Sequence, residues 1–254
     1  MKEILNMCEN IYAPMLSLDD IANELKCITG GIKHTGELYS TYESISGFYS
    51  RNMIYKADEE GIKKAVAEII ANSAKRMPAI TSYTAELVPE NTGEIFAQNG
   101  FKTMLVQHGM IFDTQKPFDE SFCPNIVRIN SSRIDEWNEV MLEGFREEGK
   151  QPEPETYRAL AKDSNVMIYA YLENGAIAGT TMMLLKKDNS GIHEVAVPPE
   201  HRKKGIAKKL ILKALKDAKS YGCKKVSLQA SDSGRFVYSS IGFEEYSQIY
   251  TWER

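Results

Sequence analysis

One nineteen-residue segment, Ile192–Leu210 (IHEVAVPPEHRKKGIAKKL), limits the fold more than any other part of the chain. A short β-branched run stops at Pro198-Pro199, a basic turn follows, and a helical pattern starts directly after Gly205. Strand, glycine turn and helix start in that order build a cradle for a diphosphate. The first amides of a helix have no internal acceptor, and the helix dipole favours an anion there. Gly205 lets the backbone turn tightly with no side chain in the way. Arg202, Lys203, Lys204, Lys208 and Lys209 add charge-assisted donors. The same residues also suit a solvated basic helix start after an ordinary strand, since short glycine motifs are weak evidence alone.

Charge is placed unevenly. From His201 to Lys225 ten basic residues face only Asp217, a local net charge of +9 in a chain of −4, which leaves −13 for the remainder. A basic patch on an acidic protein suits a polyphosphate ligand better than a nucleic-acid backbone, which meets a broader field. No apolar run approaches the roughly 18 residues of a membrane span. The N-terminus, interrupted by Glu3 and Glu9, does not read as a signal peptide. Cys8, Cys27, Cys123 and Cys223 are scattered, without metal-ligand spacing. They are expected to be reduced packing thiols of a cytoplasmic protein, with no metal site. No GxxxxGK[ST] is present, so a Walker-type nucleotide site is not expected.

At 254 residues the chain is long enough for two domains. The C-terminal half is the clearer. Ser131 or Ser132 caps a helix with apolar residues from Ile134 to Phe145, and a second helix covers Glu155–Lys162. Val166–Leu172 and Ile177–Leu185 are strands joined at Glu173-Asn174-Gly175, and Lys187–Gly191 is the next turn. The helix after Gly205 buries Ile206, Leu210, Ile211, Ala214, Leu215 and Ala218 and stops at Gly222. Val226–Ala230 alternates as a strand, a short helix runs through Tyr238 to Gly242-Phe243, and Glu245–Trp252 closes the chain.

The N-terminal half repeats that plan: strand at 52–56, a helix opened by Gly61-Ile62, strand at 79–84, short helix at 92–98, Gly100-Phe101, and strand at 105–112. Gly61 and Gly100 are 39 positions apart, Gly205 and Gly242 37. Two units of one plan are expected, joined by the polar segment 113–124. They diverge where chemistry would sit. Glu59-Glu60 precede the first glycine where Lys203-Lys204 precede the second, and carboxylates repel phosphate. Four residues before each Gly-Phe pair stand Phe96 and Tyr238, and only the phenol can donate a proton.

The strand VAV, the turn RKKGIA and the terminal Tyr238-x-x-x-Gly242-Phe243 resemble the GNAT acetyltransferase superfamily in order and spacing. LQASDSGRFVYSSIGF further resembles a bacterial tandem-lobe branch with a degenerate N-terminal lobe. The resemblance is strong over about 126–254 and weak over 1–113. It implies an α/β fold of two GNAT-like lobes, each a mixed, mostly antiparallel sheet flanked by helices. The degenerate lobe would span 1–120 and the catalytic domain 126–254. It also implies direct transfer of an acetyl group from acetyl-CoA to a primary amine.

Val195, Ala196 and Val197 would pair with the pantetheine arm, and Arg202, Lys203, Lys204, Gly205, Ile206, Ala207 and Lys208 would hold the diphosphate. Tyr238 would protonate the leaving thiolate. An ammonium must lose a proton before it attacks, and Glu194 is the candidate base, with His193 the next choice. Ser231, at a strand end, is expected to touch the pantetheine or the acceptor, or to be a turn former. The expected partner is a small-molecule or peptide amine, with the acidic remainder favouring a cationic one. No nucleic acid or membrane is expected, and the chain would act as a monomer or homodimer. The competing class is a non-catalytic acyl-CoA sensor, which would have no use for the acid at Tyr238.

Overall fold

The computed structural model describes residues 9–11, 13–15, 32–43, 50–72, 79–145 and 154–254. Cys8 and Cys27 lie outside them. Cys123 and Cys223 are free thiols, the second buried. The chain forms two compact units that do not follow a single cut in the sequence. One contains Met1–Met110, Gln229–Asp232 and Glu245–Arg254; the other contains Ile111–Leu228 and Ser233–Glu244. No helix among the described residues is long and apolar enough to cross a membrane.

The first unit is a sheet ordered β1 (Ile32–Thr35), β2 (Tyr39–Glu43), β3 (Ser50–Ile54), β4 (Ala79–Thr84), β11 (Glu244–Glu253) and β5 (Lys102–Asp113). β3 and β4 run parallel because α1 (Glu59–Asn72) carries the chain between them, while β1/β2, β2/β3 and β4/β11 are antiparallel. Ile62, Ala65, Val66 and Ile69 recur at helical spacing and form the buried stripe of α1. They pack with Ile54, Tyr83, Phe96 of α2 (Thr92–Gln98), Phe101 and Trp252. Gly61 does not open this helix. It is the third helical residue, and its N–H donates to Asp58 Oδ1 at 2.9 Å. A carboxylate three residues before the expected opening thus caps the helix start.

The second unit is a sheet ordered β10 (Lys225–Ala230), β9 (Asn189–Ala196), β8 (Ala176–Leu184), β7 (Val166–Glu173) and β6 (Ile126–Arg128). It is antiparallel except for β9/β10, which are joined by α5 (Ile206–Tyr221). Asn174 and Gly175 both have positive φ (53° and 87°), the requirement of the tight turn expected between β7 and β8. The turn expected at 187–191 is shorter, because Asn189–Gly191 enter β9 and pair with Lys225–Ser227. Helix α3 (Ile134–Phe145) buries Ile134, Trp137, Asn138 and Met141. Its approach is fixed by Asn130, whose side chain accepts from the Ser132 N–H at 3.1 Å, so the cap lies one or two residues before the serines expected to supply it. Trp137, fully buried, donates to the Tyr169 carbonyl at 2.9 Å and packs on Tyr157 of α4 (Pro154–Leu160).

The segment 233–244, containing α6 (Arg235–Ser239), is an excursion between two stretches of the first unit. Buried His108 of β5 meets both of the bracketing carboxylates, Asp232 through Nε2 at 2.8 Å and Glu245 through Nδ1 at 2.7 Å. Carboxylates accept only, so an imidazolium satisfies both bonds at once.

Candidate active site

β9 carries Glu194, Val195 and Ala196 of the expected site, and two irregularities set its geometry. The ladder to β8 slips between Thr180 and Met182, so β9 has one extra residue there, and Glu194 takes a left-handed φ of 54°. Thr181 Oγ1 holds the His193 carbonyl at 3.2 Å and Thr180 Oγ1 the Glu194 carbonyl at 3.0 Å, so the bulge is fixed from both sides. The parallel ladder to β10 covers only Asn189–Gly191. Among the described residues, Val195 and Ala196 lie beyond that ladder, where an extended ligand could pair. Val195 and Val197 are half-buried and Ala196 is buried.

Pro198 ends the strand, one 3₁₀ turn follows at Pro199–His201, and the chain reaches α5 through Lys203 (φ 62°) and Gly205 (φ 74°). Gly205 is the N-terminal cap of α5 with no side-chain cap bond, and a Cβ there would meet nothing within 4 Å. Conformation, not space, calls for glycine. The first bond of the helix runs from the Lys209 N–H to the Gly205 carbonyl at 3.1 Å. The four preceding amides, of Gly205, Ile206, Ala207 and Lys208, meet no acceptor among the described residues. Four open N–H groups at the positive end of a sixteen-residue helix form an anion site. Left-handed residues in such a turn point successive amides into one concavity.

The basic side chains separate into two sets. Lys203 and Lys208 are exposed at the helix start. Lys204 is instead folded onto Glu173, at 2.9 and 3.1 Å from its two oxygens, and His201 Nδ1 shares the same carboxylate at 2.9 Å. Lys204 first and His201 second hold the Glu173 carboxyl below the ordinary range. Arg202 is committed to two backbone carbonyls. Its Nε donates to the Val197 carbonyl and its Nη2 to the Gly144 carbonyl, both at 2.9 Å.

Tyr238, on α6, is buried. Burial alone pushes its phenol well above the usual tyrosine value, so it stays protonated at neutral pH. Its ring packs on Phe243 at 5.9 Å, and the turn closes through the Phe243 N–H on the Tyr238 carbonyl at 3.1 Å. Glu194 is half-buried, and Tyr157 Oη donates to its Oε1 at 3.3 Å. Ser231 is exposed just past β10, in the stretch belonging to the first unit. Among the described residues no group of three or more His, Cys, Asp or Glu side chains is gathered as a metal site.

Sequence reasoning missed Glu173, Tyr157 and Gly144. Gly144 lies inside α3, and a Cβ there would come to 2.8 Å from the Ala196 Cβ and 2.9 Å from the Val197 N, so only glycine lets the helix approach β9. A glycine inside a helical pattern was the one available signal.

Residues 134–243 match the model of the acetyltransferase (GNAT) family. No curated protein matches the chain by sequence. The fold is similar to that of a GCN5-related N-acetyltransferase from Kribbella flavida (TM-score 0.65, 10% identity, covering 93% of this chain and 95% of that one). It also resembles a functionally unknown conserved protein from Staphylococcus epidermidis (0.63, 14%, 88% and 94%). A GCN5-related N-acetyltransferase from Sphaerobacter thermophilus is similar as well (0.60, 12%, 96% and 93%). These structures carry the expected α/β architecture over nearly the whole chain.

Proposed function

We propose that the domain containing residues 134–243 moves an acetyl group from acetyl-CoA directly to a primary amine. The observation that carries the reading is the row of four amides from Gly205 to Lys208 that meet no acceptor among the described residues, near the β9 edge at Val195 and Ala196, beyond the ladder to β10. A diphosphate fits the first and an extended pantetheine the second. Lys203 and Lys208 supply the flanking positive charge. The bound thioester would supply the activated acyl carbon; the protein supplies proton transfer and charge stabilisation around it.

Glu194 takes the proton that the acceptor ammonium must lose, freeing the lone pair that attacks. Backbone N–H groups around Val195–Val197 donate to the carbonyl oxygen as negative charge develops, a type of contact worth about 2.7–4 kcal/mol per donor. Tyr238 gives its proton to sulfur as the C–S bond breaks, and the second proton of the attacking nitrogen passes through solvent to the resulting phenolate, so the products are an amide and free CoA, with Tyr238 reprotonated. The acceptor is a small-molecule or peptide amine. The first unit is a degenerate copy of the same plan, in which Asp58 occupies the helix start and Phe96 the place of the acid.

Calorimetric titration with CoA and acetyl-CoA, combined with release of free CoA across a panel of amines, tests the reading. Micromolar binding with turnover on one amine class is expected. An intact protein that binds neither form of CoA overturns the assignment, and binding without turnover on any amine returns the site to a sensor.

A further inference from the structure

The motif that resembles a phosphate loop begins with Arg202, whose side chain the resemblance would place on the diphosphate. Its geometry points elsewhere. The planar guanidinium donates through Nε to the Val197 carbonyl, the last carbonyl before Pro198, and through Nη2 to the Gly144 carbonyl, in the last turn of α3. Both bonds are 2.9 Å. A third contact joins the same two elements without Arg202, because the Gly144 Cα lies so close to Ala196 and Val197 that a methyl group would collide with them. A cation at a helix C-terminus is favourably placed for the dipole. The fork of Nε and Nη2 can span two carbonyls in a way that a single ammonium cannot.

We infer that Arg202 is a positioning residue: its guanidinium braces the exit of β9 against the C-terminal turn of α3 and so fixes the backbone edge at residues 195–197. The proposal deepens the acyl-transfer reading and rests on it for its effect on turnover. The brace matters there because that edge lacks a ladder to β10 and is interrupted by the bulge at Glu194. Among the described residues, no ladder bonding to β10 fixes Val195 and Ala196 on the side where a donor would lie. Misplacing a reacting group by about 1 Å can cost on the order of 100-fold in rate. Arg202 and the open amides thus divide the work of the loop. Gly205–Lys208 bind through backbone, Lys203 and Lys208 add charge, and Arg202 holds the neighbouring strand.

The test uses the full chain, with CoA as the calorimetric probe at low and high salt and with Arg202→Gln, Arg202→Lys and a Lys203→Gln/Lys208→Gln pair. Amide hydrogen exchange at 140–145 and 192–198 is measured in each. Turnover is measured with acetyl-CoA and the panel amine that releases CoA fastest. For both Arg202 variants, CoA affinity should stay within about threefold and its salt dependence unchanged. Exchange at the two segments should rise, and kcat should fall about tenfold or more with the acetyl-CoA KM nearly constant. The lysine pair should do the opposite, weakening CoA about tenfold and leaving exchange alone. Arg202 variants that lose CoA affinity as the lysine pair does, with exchange unchanged, overturn the brace and return the guanidinium to the phosphate. If the wild-type chain binds no CoA, acyl transfer fails, while the exchange data still decide whether Arg202 holds the strand.

Discussion

Two helix starts, at Asp58 and at Gly205, treat the same kind of helix end in opposite ways. Each begins a helix that joins two parallel strands, β3 to β4 in one unit and β9 to β10 in the other. In the first, a carboxylate takes the Gly61 N–H, and Glu59 and Glu60 follow in the opening turn. In the second, a left-handed glycine leaves four amides open, and lysines flank them. The helix dipole is the same; what differs is whether a side chain of the protein meets it or the amides stay open.

The short helices repeat the contrast. Phe101 N–H bonds to the Phe96 carbonyl at 3.1 Å, and Phe243 N–H to the Tyr238 carbonyl at 3.1 Å, with Gly100 and Gly242 both at positive φ. The ring pairs sit at 5.0 and 5.9 Å with similar tilt. One ring fills a core with Tyr83 and Trp252, and the other carries a hydroxyl. Packing alone would be served by phenylalanine at either place.

The largest effect is expected from exchanging those rings. Tyr238→Phe should lower kcat by about 100-fold or more, as for loss of a general acid, with acetyl-CoA KM nearly unchanged. Phe96→Tyr should restore nothing. Its hydroxyl would enter a fully buried position and cost about 1–3 kcal/mol unless it finds a partner. Steady-state kinetics and thermal unfolding of the two variants decide the matter. Full turnover in Tyr238→Phe would remove the functional side of the contrast.

A smaller effect is expected at the capped helix. Asp58→Ala removes the acceptor of the Gly61 N–H and should destabilise the protein by about 1 kcal/mol. CoA affinity should not change. If the variant binds a second CoA, the first helix start is a masked site and the difference between the units is one carboxylate deep.

Much of this was legible in the sequence because it is local and periodic. The buried stripe of α5, from Ile206 to Ala218, follows from apolar spacing, and its end at Gly222 from the left-handed cap, φ 87°. The tight turn at Asn174-Gly175 is written in its two residues. Caps were less secure, since Asn130, Ser131 and Ser132 are all capable acceptors and only the backbone path selects Asn130. The side-chain partners of the basic loop could not be read. Arg202 reaches a carbonyl 58 residues earlier and Lys204 a carboxylate 31 residues earlier, distances over which charge pattern carries no pairing information. A run of lysines and arginines identifies an electropositive loop, but tertiary structure assigns each cation its anion.

The smallest expected effect concerns two phenols of the second unit and is confined to alkaline pH. Tyr169, buried and donating to Asp217, is pushed far above the usual tyrosine value, first by burial and then by that carboxylate; Tyr238 is raised by burial alone. A raised folded value means that the native state keeps its proton where the unfolded chain, near the ordinary value of 10.0, gives it up. The contribution is therefore fully present below pH 10 and is lost as pH rises beyond it. Half a unit above pH 10 the loss should be just under about 1 kcal/mol per tyrosine. Chemical denaturation at pH 8 and pH 10.5 should show a decline that Tyr169→Phe reduces by one tyrosine's share, on a baseline already lowered by the missing bond to Asp217. The first unit supplies an internal control, because Phe96, the counterpart of Tyr238, has no proton to lose, so Phe96→Tyr should add alkaline sensitivity where Tyr238→Phe removes it. An equal pH response in all three variants would mean that the loss arises elsewhere, and that the two phenols contribute nothing to it.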